Sequence, residues 1–388
     1  HAVRGANPLR ARAAVPLAKR AHRAILLSGT PLVARAEDAH PLLDALLPPG
    51  ALPSLGDFAA RYKETRYGHA AQPLTGSGSC VSVGRARAVR VRRIAELHTL
   101  LGSVMIRRLK SDLLPQLPPK WRQRVALDVD CEGGENDEDL GAARASEPEA
   151  ERRFTAACSV KGKAVAAYVR CLLDARAKFL LFAHHLRMLD ELECVLQSEA
   201  VGYIRIDGGT PMQERATAVA RYQDEPDVRV ALLSLTACSQ GLTLTAASLV
   251  VFAELYWVPG VLLQAEDRAH RLGQANPVTV QYLIAPGTID ERMFRIVEQR
   301  ARDAAAAVDG AAHSECGTEP LAATELRAAT AVGGVRRALR GEKRRLSDVR
   351  QASKYSRQAD GDGDEASERS DSESGLEVVA CTGRVDRT

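Results

Sequence analysis

The sequence predicts an α/β protein built on a doubly wound, parallel sheet. From residue 178 to residue 300, short apolar runs alternate with stretches in which apolar residues recur at helical spacing. A parallel strand that is buried on both faces is apolar along its length, and a right-handed crossover helix connects it to the next strand. The predicted strands are 178–182, 203–207, 229–234, 249–253 and 278–284, and the predicted helices are 186–197, 211–222, 261–272 and 288–300.

An earlier apolar run, 24–28, is closed by Gly29 and Pro31 and predicts a further buried parallel strand. After it, apolar residues recur at helical spacing between residues 38 and 67, which predicts a helical insertion. Between residues 130 and 153, nine acidic residues stand against three basic ones and few side chains are large and apolar. Little core can form in that stretch.

The chain therefore divides into four predicted parts. Residues 1–125 hold the first strand and the helical insertion, and residues 126–154 form an acidic, flexible linker. Residues 155–304 form a complete lobe with the parallel sheet. Residues 305–388 are Ala-, Gly- and Ser-rich, then basic, then acidic, a composition that predicts a disordered tail.

Positive charge is concentrated near the start of the chain. The net charge is +4, yet residues 1–125 hold 21 Lys or Arg against 7 Asp or Glu. This excess favours a polyanionic partner such as nucleic acid. A solvated, arginine-rich surface accounts for the charge alone equally well, so the motifs must decide between the two.

Two classes of protein find no support in the composition. The eight cysteines are scattered, without a C-x-x-C pair, and this spacing predicts no metal site. No apolar run approaches the roughly 20 residues that a membrane span requires. We therefore expect a chain without a structural metal and without a transmembrane segment.

Two short motifs carry candidate chemistry. Ser28, Gly29 and Thr30 follow the first predicted strand, but any strand-to-loop turn uses such residues for backbone geometry and helix capping. The stretch 264–274 carries Gln264, Arg268 and Arg271 at helical spacing, which predicts that they share one helix face. Planar guanidinium groups suit phosphate oxygens, although a solvated, charged helix has the same spacing.

The order of the motifs along the chain distinguishes these interpretations. The Ser28 motif is followed by the basic stretch 106–120, by Asp207-Gly208-Gly209-Thr210, by the stretch 240–245 and by the double-arginine motif. In this order the motifs closely resemble the Swi/Snf-type family of helicase-like motors, over roughly residues 1–300.

Within that family, the run 249–268 and the tetrapeptide Phe182-Ala183-His184-His185 are most similar to the HepA-related annealing helicases. Thr243 occupies a position at which nucleosome remodellers usually carry Asn. This departure favours the annealing branch.

The resemblance implies two RecA-like helicase lobes, of which this chain holds a partial first lobe with a helical insertion and a complete second lobe. It also implies ATP and Mg²⁺ as cofactors and DNA as the partner, with forks and single/double-strand junctions preferred and single-strand-binding protein as a further partner. The implied site residues are arginine fingers (Arg268, Arg271), nucleotide-binding residues (Gly241, Gln264), a coupling motif (Ser28, Gly29, Thr30) and DNA-binding residues (His184, Thr243, Thr245, Arg107, Arg108, Lys110).

One part of such a motor has no counterpart in this sequence. No G-x-x-x-x-G-K-[ST] occurs, and Lys161-Gly162-Lys163-Ala164 lacks the first glycine and the hydroxyl. The Lys and acidic pair that hold the triphosphate and Mg²⁺ are therefore expected in a missing upstream part. We expect the fragment alone to be inactive as an ATPase.

The full-length protein is expected to be an ATP-dependent DNA translocase and annealing helicase that acts in replication-fork processing and DNA repair. The basic run 336–345 and the family predict nuclear residence. Two alternatives stay open: a Swi/Snf-type chromatin remodeller, and a non-catalytic DNA-binding remnant.

Overall fold

The first part of the chain forms short helices and one antiparallel hairpin in the computed structural model, which describes residues 8–29, 31–32, 35–66, 88–129, 147–237, 241–310, 324–328 and 331–337. The hairpin joins two four-residue strands across the stretch 67–87. The elements are α1 (Pro8–Arg20), a 3-10 turn (Ala36–Ala39), α2 (His40–Leu46), α3 (Leu55–Tyr62), β1 (Lys63–Arg66), β2 (Ala88–Val91), α4 (Ile94–Gly102) and α5 (Lys110–Leu113).

The main sheet has seven strands, and all its pairings are parallel. Its central strands are buried on both faces, as their apolar runs predict. From one edge to the other, the strands are β5 (Gly202–Ile206), β6 (Val228–Ser234), β4 (Phe179–Ala183), β7 (Leu249–Phe252), β8 (Val278–Ile284), β3 (Lys120–Ala126) and β9 (Thr324–Arg327).

Among the described residues, five helices accompany the sheet and supply most of its crossover connections. The α/β fold with a parallel sheet is confirmed, since all five predicted strands are present. A described helix connects each of them to the next, except between β6 and β7. Aromatic rings stack through the core, with Phe252 lying 5.3 Å from Phe182 and 4.8 Å from Tyr282 between ring centroids. The helices are α6 (Glu147–Asp174), α7 (Leu186–Ser198), α8 (Met212–Asp224), α9 (Pro259–Glu266) and α10 (Ile289–Asp309).

The N-terminal helices pack on the far end of α10. Leu43, Phe58 and Leu97 are buried together with Ala307 and Val308 of that helix. The helical insertion and the lobe therefore share a core, which explains why the last turns of α10 stay ordered past residue 305.

Strand β3 corrects the predicted boundary at residue 125. All seven of its residues pair with β8, from Lys120 opposite Val278 to Ala126 opposite Ile284. The sheet of the lobe thus takes in a strand that precedes the acidic linker. Periodicity could not identify it, because polar and charged side chains occupy four of its first five positions.

The predicted boundaries of the linker and the tail also need correction. Helix α6 begins at Glu147, inside the predicted linker 126–154. Helix α10 continues to Asp309, β9 pairs with β3, and residues 331–337 are helical, so parts of the predicted tail are ordered. Residues 338–388 lie outside the described residues.

The predicted strand 24–28 is wrong. Ile25 is 84% exposed and Leu27 is 86% exposed, and the segment has no strand assignment. A parallel strand forms only where a neighbouring strand satisfies its backbone, and none of the described strands lies beside this segment.

No helix among the described residues is long and apolar enough to cross a membrane.

We predict that a fragment of residues 116–310 is more stable than a fragment of residues 129–310. The shorter fragment loses β3 and with it Val125 and Leu127, which are both buried. Burying two such side chains contributes about 3 kcal/mol or more to the free energy of unfolding. Urea denaturation measures the difference, and equal midpoints with equal slopes would contradict the assignment of β3 to this sheet.

Candidate nucleotide-facing site

Two segments that are distant in sequence lie side by side, 241–247 after β6 and 267–274 after α9. The backbone amide of Leu244 donates to the carbonyl oxygen of Arg268 at 2.9 Å. The buried side-chain amide of Gln274 donates to carbonyl oxygens in both segments. These bonds satisfy backbone groups that no strand pairs with, so the two segments form one surface.

Arg268 and Arg271 are both directed at the first of these segments. Nη1 of Arg271 lies 3.2 Å from Oγ1 of Thr243 and 3.4 Å from the carbonyl oxygen of Gly241. Nη1 of Arg268 lies 3.5 Å from the carbonyl oxygen of Leu242. Arg268 is only 4% exposed, whereas Arg271 is partly exposed. The fold thus brings the two arginines next to Gly241, predicted to bind nucleotide, and next to Thr243, predicted to bind DNA.

The helix predicted over 261–272 ends early, at Glu266. Beyond it, the chain forms turns, with the amide of Arg268 bonded to the carbonyl oxygen of Ala265 at 3.1 Å. The two arginines therefore lie on successive turns rather than on one helix face, and Gln264 stays within the helix. Tertiary contacts of Glu266 override the helical spacing at this point.

Glu266 is fully buried and is held by three side chains from the sheet. Arg122 donates to both carboxylate oxygens at 2.8 Å, and Lys120 lies 2.7 Å from Oε2. The hydroxyl of Tyr282 donates to Oε1. We call Glu266, Lys120, Arg122 and Tyr282 the Glu266 cluster; it joins the end of α9 to β3 and β8.

The charges in the Glu266 cluster determine its ionisation. Burial by itself would raise the pKa of Glu266, but Lys120 and Arg122 lower that pKa to about 2. Burial by itself would lower the pKa of Arg122. The carboxylate of Glu266 more than offsets this effect and raises the pKa, so the guanidinium stays charged. Burial and the neighbouring carboxylate raise the pKa of Tyr282 well above its usual value. The cluster is therefore a carboxylate with two cations and one neutral hydroxyl.

The predicted basic DNA-binding residues have unequal surroundings. Lys110 lies 2.8 Å from Oδ2 of Asp267, next to the arginine pair. Arg107 makes a two-point contact with Asp309 at the end of α10. Arg108 is exposed, and no ion pair of it occurs among the described residues. Two of the three cations are thus partly neutralised by carboxylates of the protein.

The coupling motif borders a cleft of about 930 Å³. Gly29 lines this cleft together with Arg107, Lys110 and His270. Ser28 is exposed next to it, and Thr30 lies outside the described residues. The structure therefore brings part of the motif near the basic residues. It also brings this part near the turn 267–271 that carries Arg268 and Arg271, which we call the arginine turn.

His184 belongs to a second cluster, at the carboxyl ends of β4 and β7. The buried carboxylate of Glu254 accepts from the backbone amides of His184 and His185, at 2.7 and 2.8 Å, and lies 3.0 Å from Nδ1 of His185. The ring of His184 lies 4.8 Å from that of Tyr256. The backbone of His184, a predicted DNA-binding residue, is thus bound within the protein.

Thr245 is also engaged within the protein, because its Oγ1 accepts from the side chain of Gln223 in α8 at 3.2 Å. Glu266, Gln274 and Lys120 build the site, although no motif in the sequence predicts a role for them. An acidic residue inside a cationic motif is a signal that could have pointed to Glu266. Gln274 and Lys120 offered no such signal.

The comparisons with known proteins agree on one family. Residues 1–133 match the SNF2-related domain, and residues 163–273 match the helicase conserved C-terminal domain. The DNA annealing helicase and endonuclease ZRANB3 of Mus musculus is 39% identical over 330 residues, which are 80% of this chain and 29% of that protein.

A second relative, from Xenopus tropicalis, is the SWI/SNF-related matrix-associated actin-dependent regulator of chromatin subfamily A-like protein 1. It is 37% identical over 315 residues, which are 78% of this chain and 32% of that protein. The chain thus spans about a third of the length of these relatives. A solved structure, the crystal structure of the C-terminal part of the Fun30 ATPase domain, is 29% identical in sequence. The match covers 36% of this chain and 45% of that chain, with a TM-score of 0.34.

We predict that Glu266→Gln lowers the free energy of unfolding at neutral pH by roughly 3 to 5 kcal/mol, because Lys120 and Arg122 lose their buried counter-charge. The pKa of Glu266 is about 2 in the folded protein and 4.5 ordinarily. The carboxylate therefore stabilises the fold fully above about pH 4.5, and this contribution is lost as the pH falls towards 2. Urea unfolding at pH 7, 4 and 3 measures the effect.

The matched control is Glu291→Gln, at a partly exposed glutamate whose only described ion pair is with Arg295 in the same helix. It should match the wild type at each pH to within about 0.5 kcal/mol. A gap between wild type and Glu266→Gln that stays constant from pH 7 to pH 3 would contradict the assigned ionisation.

Proposed function

We propose that this chain, which belongs to the Swi/Snf-type helicase-like family, is part of an ATP-hydrolysing motor that translocates on DNA and rewinds separated strands at forks and branches. The observation that carries the proposal is the meeting of Arg268 and Arg271 at the 241–243 stretch. The resemblance assigns Arg268, Arg271 and Gly241 to the nucleotide.

The arginine pair is suited to a phosphoryl group. The acceptors of Arg271 are a carbonyl oxygen at 3.4 Å and a hydroxyl at 3.2 Å, both neutral. Neutral partners orient a guanidinium without cancelling its charge, so that charge remains available to a phosphate. Stabilising the charge that develops during phosphoryl transfer accelerates hydrolysis by about 10³-fold or more. Arg268 and Arg271 act as arginine fingers in this proposal.

ATP and Mg²⁺ fit this chain only in part. The donors of Arg268 and Arg271 would meet the terminal phosphates, and Gly241 and Gln264 would lie beside the nucleotide. No group of three or more metal-binding side chains occurs among the described residues, and the sequence has no P-loop. In this proposal a part of the protein outside these 388 residues holds the triphosphate and Mg²⁺, and the fragment alone does not hydrolyse ATP.

The DNA contacts follow from the basic residues around the cleft. Arg108 is exposed and would contact a phosphate directly. Arg107 and Lys110 would exchange Asp309 and Asp267 for phosphates, because a surface ion pair is worth little in water. Ser28, Gly29 and Thr30 would couple the nucleotide state to these contacts, and His184, Thr243 and Thr245 would complete the DNA path.

Strand annealing is favoured over chromatin remodelling by the first relative, which is named an annealing helicase, and by Thr243. The name of the second relative, a regulator of chromatin, keeps remodelling as the second candidate. Replication-fork repair, nuclear residence and cooperation with single-strand-binding protein belong to the annealing proposal.

We predict that Arg271→Ala in the full-length protein lowers DNA-stimulated ATP turnover by about 10³-fold, because transition-state charge loses a donor. The melting temperature should stay close to that of the wild type, since Arg271 is partly exposed. Arg268→Ala should lose both turnover and stability, since Arg268 is buried. The control Arg295→Ala removes an arginine that is 73% exposed and should leave turnover intact. Wild-type turnover in Arg271→Ala would contradict the proposed role.

We also predict that forked DNA stimulates ATP turnover more than blunt duplex or nucleosomes do. Phosphate contacts are independent of sequence and weaken steeply with salt, so DNA geometry should select the substrate. Turnover is compared at one fixed, moderate salt concentration, beside a rewinding assay on a DNA bubble coated with single-strand-binding protein. If nucleosomes stimulate most and the bubble stays open, the second candidate replaces the first.

A further inference from the structure

His270 lies between the two arginines and is bound to a distant segment of the chain. Its ring Nε2 is 2.8 Å from the carbonyl oxygen of Pro118, which precedes β3. Its own carbonyl oxygen accepts from Nζ of Lys110 at 3.4 Å. Both the side chain and the main chain of this residue are therefore held by the segment 110–118.

The acceptor at Pro118 determines the tautomer of the ring. A carbonyl oxygen can only accept, so Nε2 of His270 carries the proton. The pKa of His270 is lowered, chiefly by burial and also by the charges of Lys120 and Lys110. The bond to Pro118 and the charge of Asp267 raise the pKa but do not offset the lowering. The neutral ring leaves Nδ1 without a proton, and this atom is buried with no hydrogen-bond partner among the described residues.

The segment that binds His270 is itself fixed to the sheet. The carbonyl oxygen of Pro119 accepts from the backbone amide of Val278 at 3.0 Å, and Lys120 and Arg122 follow directly with their bonds to Glu266. Proline restricts the backbone at 118 and 119, so the carbonyl oxygen of Pro118 has little freedom. It is a fixed point to which His270 can be tied.

Two bonds already hold the inner side of the turn that carries the arginines: the amide of Leu244 donates to the carbonyl oxygen of Arg268, and the side chain of Gln274 donates to that of Ala269. The bond from His270 to Pro118 adds a restraint from a different part of the chain. Helix α9 has ended, and the amide of Arg271 reaches only the carbonyl oxygen of Ala269, at 3.2 Å. A bond from the His270 side chain to Pro118 therefore limits how far the backbone between Arg268 and Arg271 can move. Small displacements of a positioned group by about 1 Å can cost about 100-fold in rate.

We propose that His270 is a positioning residue for the arginine pair: its Nε2–H bond to Pro118 ties the turn that carries Arg268 and Arg271 to the segment leading into β3. The inference rests on the proposed function, because it assumes that the two arginines act on nucleotide. In this proposal His270 acts through the backbone of the turn and not by contact with the nucleotide. Its loss should therefore change the rate of the chemical step rather than nucleotide binding.

The test compares three variants of the full-length protein. His270→Phe keeps an aromatic ring but removes the donor, and His270→Gln keeps an N–H that can reach the carbonyl oxygen. His98→Phe is the matched control, since His98 is also half-buried and its Nδ1 lies 3.2 Å from the carbonyl oxygen of Ala307, away from the arginines. The measurements are kcat and KM for ATP with saturating forked DNA, and the melting temperature.

We expect His270→Phe to lower kcat by about 10- to 100-fold with KM for ATP within about twofold of the wild type. His270→Gln should recover most of kcat, and His98→Phe should keep it even if its melting temperature falls. Wild-type kcat in His270→Phe, or an equal loss in His270→Gln, overturns the positioning role. A wild-type protein that hydrolyses no ATP instead overturns the proposed function and this inference with it.

The ring itself gives a readout that does not depend on turnover. Nitrogen NMR of the 388-residue chain, labelled at histidine, should show His270 as the neutral tautomer with the proton on Nε2, assigned by loss of the signal in His270→Gln. A proton on Nδ1 contradicts the bond to Pro118 and overturns the inference even where the arginine pair proves essential.

Discussion

The buried carboxylate of Glu266 joins helix α9 to the sheet and so sets the geometry of the site. A fully buried charge is tolerated only if cations and hydrogen bonds compensate it, and here both cations come from β3. The end of α9 can therefore be placed only where Lys120 and Arg122 can reach it. A strand from before the acidic linker thus determines where the helix ends and the arginine turn begins.

This dependence explains how the site is assembled from distant parts of the chain. Strand β3 is paired along its whole length with β8, so the backbone of Lys120 and Arg122 is held in place independently of Glu266. Directly beyond Glu266, the backbone of Arg268 bonds to Leu244, and Arg271 reaches Gly241. Stability and the geometry of the site are therefore coupled, because the same ion cluster supports both.

The cations near the site that pair with carboxylates are of two kinds, with different uses. Those of the Glu266 cluster are buried against a carboxylate and cannot leave it without a large cost. Arg107 and Lys110 are paired at the surface, where water screens the attraction and a phosphate can compete for them. Residue type alone does not separate these kinds, since both contain one arginine and one lysine. Burial separates them.

The parallel sheet and the arginine motif can be predicted from sequence patterns, namely apolar runs at strand length and a cationic motif that stands in a recognisable order among others. That β3 joins the sheet, that Ile25 and Leu27 are exposed and that the arginines lie on turns is seen only once the chain is folded. The exposure of Ile25 and Leu27 follows because none of the described strands pairs with their segment. The pairing of β3 and the end of α9 arise from contacts between residues more than a hundred positions apart. Burial energy and charge compensation act across such distances, and no periodicity records them.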